Sequence, residues 1–77
     1  MARLPSDRYL IQQVGPDVIL FEDGTEREIV RFNVSDSEAV ANAQRKISAT
    51  RELADEDRAF ANFWSGYFYH AALSAWL

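Results

Sequence analysis

Apolar positions recur every second residue in the first third of the chain and at helical spacing in the rest. Tyr9-Leu10-Ile11-Gln12-Gln13-Val14 is a run of strand formers ending at Gly15-Pro16, a turn dipeptide in which proline fixes φ. Asp17-Val18-Ile19-Leu20-Phe21-Glu22 follows and closes on Asp23-Gly24. Asp-Gly between two strand-like runs is a strong hairpin signal, because a type I′ turn needs positive φ at both central positions. From Thr25 to Val34 the chain alternates, with Val30, Phe32 and Val34 on one face and Arg31 and Asn33 on the other. Such alternation describes a strand with one buried and one wet face. The simplest arrangement is a three-stranded antiparallel β-meander over residues 8–34.

The period changes at Ser35. Ser35-Asp36-Ser37-Glu38 matches a capping box, in which the serine hydroxyl takes an orphan amide and the glutamate reaches back. A first helix is predicted over 35–49, with Val40, Ala43 and Ile47 inward and Asn42, Arg45 and Lys46 outward. Only Val40 and Ile47 are large, so this helix lies on the sheet without supplying most of the core. A second helix is predicted over 54–76. Asp55, Glu56 and Asp57 fill its first turn, complementing the positive end of the helix dipole. Phe60, Phe63, Trp64, Tyr67 and Phe68, then Ala71, Ala72 and Ala75, form a continuous stripe, while Ala61, Asn62, Ser65, Gly66 and Tyr69 occupy the other side. The expected core is therefore Val30, Phe32, Phe60, Phe63, Trp64, Tyr67 and Phe68. The fold class is α+β, with residues 1–77 as one domain.

A chain of 77 residues has a small core, and the second helix brings more apolar surface than that core can hide. Leu73, Trp76 and Leu77 lie off the stripe, so the last turn is apolar nearly all round, a pattern that calls for cover on every side. Tyr69, Leu73, Trp76 and Leu77 are the expected interface residues, in self-association or docking on a protein partner; a frayed last turn is the alternative. Gly66 amid the rings either lets another group approach closely or bends the helix.

Composition narrows the function classes. Hydrophobic residues make up 48% and charged residues 26%, which is a globular and not a disordered balance. The net charge of -4 leaves no basic footprint for nucleic acid. With no cysteine, disulfides, thiolate zinc sites and thiol catalysis are excluded. No charge occurs from Ala59 to Leu77, but Asn62, Ser65, Gly66, His70 and Ser74 and the density of rings suit an interface or a packed core better than hydrocarbon. No membrane partner is expected. Arg3 and Arg8 precede no apolar run of signal-peptide type, since Asp7, Gln12 and Gln13 interrupt it, so the protein is expected not to be secreted.

Candidate chemistry is sparse. His70 is the lone histidine and no acid follows Asp57, so a hydrolytic triad lacks its parts. Asp55, Glu56 and Asp57 point to different helix faces and cannot chelate one ion by themselves. Gly15, Gly24 and Gly66 are scattered and form no phosphate loop. Arg27 with Arg31 and Arg45 with Lys46 are flanked by acids and read as solvated faces. No catalytic, cofactor-binding or metal-binding residue and no cofactor is expected, and the protein is read as non-enzymatic.

Tyr9-Leu10-Ile11-Gln12-Gln13-Val14-Gly15, Phe21-Glu22-Asp23-Gly24-Thr25 and Asn62-Phe63-Trp64-Ser65-Gly66-Tyr67-Phe68-Tyr69 together resemble small proteins of tailed bacteriophages of actinobacteria. The likeness spans roughly Tyr9 to Tyr69 and carries over no functional residue. It implies a phage setting, in the infected cell or in the virion. There the chain is expected to be a structural or assembly protein that self-associates or docks through its aromatic helix. The alternative is a small regulatory binder that inhibits or redirects a host protein.

Overall fold

The computed structural model describes residues 2–76, with side chains through Ala75. It is an α+β fold: a four-stranded antiparallel sheet in the order β1-β2-β3-β4, followed by two helices. The strands are β1 (Ala2–Arg3), β2 (Tyr9–Val14), β3 (Asp17–Glu22) and β4 (Glu28–Asn33); the helices are α1 (Ser37–Ala49) and α2 (Asp55–Trp76). The expected meander is therefore present with one more strand, the two-residue β1, which pairs Ala2 with Ile11 and Arg3 with Leu10. A strand of two residues has too few positions to show alternation, so periodicity does not reveal it.

β2 and β3 are joined by Gly15-Pro16 alone, since Val14 pairs with Asp17. Gly15 takes φ +60°, and the proline after it holds a negative φ, the sign pattern of a type II′ hairpin turn. The β3–β4 connection differs from the expected two-residue type I′ turn. Gly24 has φ +92° but Asp23 does not share the left-handed region; Glu26 does, at +57°. Glu22 N donates to Arg27 O at 2.9 Å and Glu26 N to Glu22 O at 2.9 Å, so the loop spans Asp23 to Glu26.

Alternation carries the inner face of the sheet. Ile11, Leu20 and Val30 stand in one cross-strand row and Val18 and Phe32 in the next, all buried. A bulge interrupts β4: Phe21 pairs with Glu28 and Leu20 with Val30, leaving Ile29 as the extra residue. Ile29 and Val30 are both buried in the core cluster, where strict alternation would place only one.

α1 begins one residue later than the capping-box reading places it. Asp36 is the N-cap, its Oδ1 accepting from Glu38 N at 3.0 Å and Ala39 N at 3.2 Å. Ser35 is engaged elsewhere, donating from N and Oγ to Asn33 Oδ1. An ionised carboxylate is the stronger acceptor at a helix N-terminus, and it displaces the hydroxyl from that role. Val40, Ala43 and Ile47 face the core.

The expected core needs correction at two positions. Val30 and Phe32 are buried, and Phe60, Trp64 and Phe68 are half-buried against the core, but Phe63 is 65% and Tyr67 53% exposed. α2 is turned so that Asp57, Ala61 and Ser65, spaced one turn apart, face inward. The volume beneath them is already filled by large side chains from the sheet and the connections. Leu4, Tyr9, Ile11, Leu20 and Leu53 belong to one cluster with Ala61 and are each no more than 2% exposed. At close-packed density, large residues on one side leave room only for small ones on the other.

A candidate interaction surface on the second helix

Two local arrangements fix the rotation of α2. At its start, Asp57 is buried and its Oδ1 accepts from Ser6 N at 3.0 Å, tying the β1–β2 connection to the first helical turn. Leu4 N donates to Tyr9 O and Asp7 N to Leu4 O, so the same connection folds Leu4 into the core. Arg58 reaches back from α2 to the carbonyls of Thr50 and Leu53, at 3.1 and 2.8 Å, and pairs with Asp55. These bonds clamp the α1–α2 loop, which buries Leu53. The three acids of the first turn thus part ways: Asp57 inward, Asp55 on Arg58, Glu56 exposed.

Along its middle, α2 meets α1 through small and polar groups. Asn62 Nδ2 donates to Ser48 Oγ at 2.9 Å, and Gln44 Nε2 to Asn62 O at 3.4 Å. Gly66 lies beside the same glutamine, with Gln44 Nε2 3.8 Å from where a Cβ would stand. Ser65 is fully buried, and its hydroxyl donates to Ala61 O at 2.8 Å, so the helix satisfies this polar group internally.

The other side of α2 carries the rings. Trp64 is the hub, with ring centroids at 5.0 Å from Tyr67, 5.5 Å from Phe68, 5.9 Å from Phe63 and 6.1 Å from Phe60. The Phe63 and Tyr67 contacts are edge-on, the arrangement favoured by the ring quadrupole. Trp64 Nε1 is buried and has no acceptor among the described residues. From His70 on, helix residues on nearly every side are exposed: His70, Ala71, Leu73, Ser74 and Ala75, with only Ala72 half-buried. The last turns of α2 therefore project past the body of the fold.

Of the expected interface residues, Leu73 is 40% exposed. Tyr69 is half-buried and packs against the core, so it is removed from the candidate surface. It lies about 120° around the helix from Phe63 and about 160° from Tyr67, on the flank that meets the body of the fold. The Trp76 side chain and Leu77 lie outside the described residues. The surface instead centres on Phe63 and Tyr67. The sequence signal that could have located it is the spacing of Asp57, Ala61 and Ser65, a narrow small-residue seam suited to close packing.

Ionisable groups form surface ion pairs. Arg27 donates to both carboxylate oxygens of Glu52, and Tyr9 donates its hydroxyl to Glu52 Oε2 at 3.3 Å. The hydrogen bond from Arg27 holds Glu52 below the usual carboxylate range. Burial, then the charge of Glu52, pushes Tyr9 above the ordinary tyrosine value. Arg31 bridges Glu28 and Asp17, and Arg3 bridges Asp7 and Asp23. No group of three or more His, Asp or Glu is placed to hold a metal ion among the described residues. No helix among them is long and apolar enough to cross a membrane. A shallow hollow of about 240 Å³ on the outer sheet face is lined by Gln12, Ile19, Phe21, Glu26 and Glu28. Comparison with protein-family models, curated proteins and solved structures gave no match.

Proposed function

We propose that this protein is a non-enzymatic contact module, a phage structural or assembly component that meets another protein subunit through the outer face of α2. The observation that carries the reading is the exposure of Phe63 and Tyr67, at 65% and 53%, at the outer edge of a ring cluster that the fold covers only from within. Aromatic side chains are enriched where proteins meet, since each offers a large apolar area with few rotatable bonds. The phage setting, in the infected cell or in the virion, rests on the sequence resemblance. The non-enzymatic reading is supported by the employment of Arg3, Arg27, Arg31 and Arg58 in ion pairs with neighbouring carboxylates.

The test is photocrosslinking in the cells that make the protein. A photoreactive phenylalanine analogue at position 63 is compared with the same analogue at Thr25, an exposed loop position on the far connection. A discrete protein adduct from position 63 and none from position 25 is the expected result. No adduct from position 63, or equal adducts from both, overturns the reading. Mass spectrometry of the adduct identifies the subunit on the other side.

A further inference from the structure

Resting on that reading, we infer that the subunit met by α2 is a second copy of this chain, paired antiparallel about a two-fold axis at Tyr67. A stripe of α2 runs from the half-buried Phe60 through the exposed Phe63, Tyr67, Ala71 and Ser74, residues that fall within about 80° of one another on a helix of 3.6 residues per turn. The intervals are three, four, four and three residues, so the stripe reads the same from either end. A two-fold axis through Tyr67 sets Phe63 opposite Ala71 and Phe60 opposite Ser74. On either side of the axis, bulk on one helix then meets a small residue on the other, while at the axis the two Tyr67 rings pass beside each other. A parallel pair would set ring against ring at one end and alanine against alanine at the other, and could not stay close-packed.

Charge favours the same arrangement. Asp55, Glu56 and Asp57 crowd the start of α2, and no charge occurs from Ala59 onward. Parallel pairing would bring the two acidic turns together. Antiparallel pairing separates them by most of the helix length and opposes the helix dipoles. The projecting end, where His70, Ala71, Leu73, Ser74 and Ala75 are all exposed, then lies over the partner's ring cluster and no longer stands alone in water.

Area bounds the size of the contact. A helix face about 25 Å long and about 10 Å wide, with rings standing off it, buries roughly 500 Å² per copy. Two such faces reach about 1,000 Å², the lower bound for a specific interface. An interface at that lower bound is of the weak, reversible kind, and a dissociation constant on the order of 10 µM is the value the test is set around. Each copy carries a net charge of -4, so added salt screens the repulsion between copies and tightens the pair.

Sedimentation equilibrium from about 1 µM to about 500 µM, spanning that constant, tests the inference. The expected result is a reversible shift from 8.8 kDa to twice that mass, stronger at high salt. Ala71→Glu should hold the monomer mass throughout, with an unchanged circular dichroism spectrum and thermal midpoint, because Ala71 is exposed in the single chain. The chain has no cysteine, so engineered thiols report the register. Tyr67→Cys should oxidise to a homodimer and Ala71→Cys alone should not, whereas Phe63→Cys mixed with Ala71→Cys should give the mixed disulfide. A wild-type monomer at every concentration overturns the inference, as does a dimer that Ala71→Glu leaves intact or a disulfide between two copies of Ala71→Cys. The contact-module reading survives these failures if position 63 crosslinks to a different protein, and falls separately if it crosslinks to none.

Discussion

Exchanging Phe63 for alanine and Ala61 for leucine tests the rotation of α2 directly, because the two positions trade places if the ring stripe faces inward. Phe63 is 65% exposed, so of a side chain of about 200 Å² only about 70 Å² is withdrawn from water, about 1.7 kcal/mol at 25 cal/mol per Å². Alanine's better helix propensity offsets about 0.5 kcal/mol of that. Phe63→Ala should therefore lose only about 1 kcal/mol, against about 3–5 kcal/mol for the same change in a closed core. Ala61 is fully buried, and leucine there forces three extra carbons into filled space, a loss of about 1–3 kcal/mol or more. Urea unfolding followed by circular dichroism, at concentrations low enough to keep the chain monomeric, gives both values with a common m-value. A Phe63→Ala loss above about 3 kcal/mol beside an Ala61→Leu variant that unfolds with the wild type would refute the rotation and the surface built on it.

Three further outcomes follow from the same packing. Gly66→Ala should stabilise by about 0.5–1 kcal/mol, because a Cβ there meets only Gln44 Nε2 at an ordinary 3.8 Å; a lowered thermal midpoint would mean that α1 lies closer than it does here. Asp57→Ala should lose about 1–3 kcal/mol and speed hydrogen exchange at Ser6, whose amide loses its acceptor, while Asp57→Asn, which keeps an acceptor oxygen, should lose less. Glu52 is held below its ordinary value of 4.5 by Arg27, so its contribution is complete above that pH and disappears as pH falls through the lower folded-state value. Glu52→Gln should accordingly flatten part of the acid limb of stability against pH, and an unchanged limb would show that the Arg27 pair does not contribute to it.

The elements were legible where the pattern is long. Alternation at Val30, Phe32 and Val34 and the apolar spacing at Val40, Ala43 and Ile47 each mark an inward face, and all six residues are buried. The details that escaped are those decided by competition between neighbours. Ser35 is a good N-cap until Asp36 beside it offers a charged acceptor. Asp23-Gly24 suits a two-residue turn, but the pairing of Phe21 with Glu28 leaves Asp23 to Glu26 in the loop. The candidate surface was legible in its helix and not in its face. Apolar stripes are read as core because hydrophobic burial dominates, yet which stripe is buried depends on the volume left by the rest of the fold. Here Leu4 and Leu53, isolated in short connections with no period to advertise them, fill that volume.

This division of labour bears on what α2 can do. The fully buried core is supplied mainly by the sheet, α1 and the connections, and α2 closes it with Asp57, Ala61 and Ser65 and with the half-buried Phe60, Trp64, Phe68 and Tyr69. Phe63 and Tyr67 each keep more than half of their surface in water in the single chain, so changing them removes only part of what a closed core ring contributes to folding. A surface only partly coupled to the core can be altered without unfolding the protein, whereas a change at Ala61 cannot. On the proposed reading, the rings are explained by what they meet. An apolar face of this kind incurs solubility and aggregation hazards in water without adding to the fold, and a covering subunit turns the same area into binding free energy. Phe63→Ser with Tyr67→Ser should therefore leave the single chain folded and more soluble while removing its association, and loss of folding in that pair would place the rings back in the core.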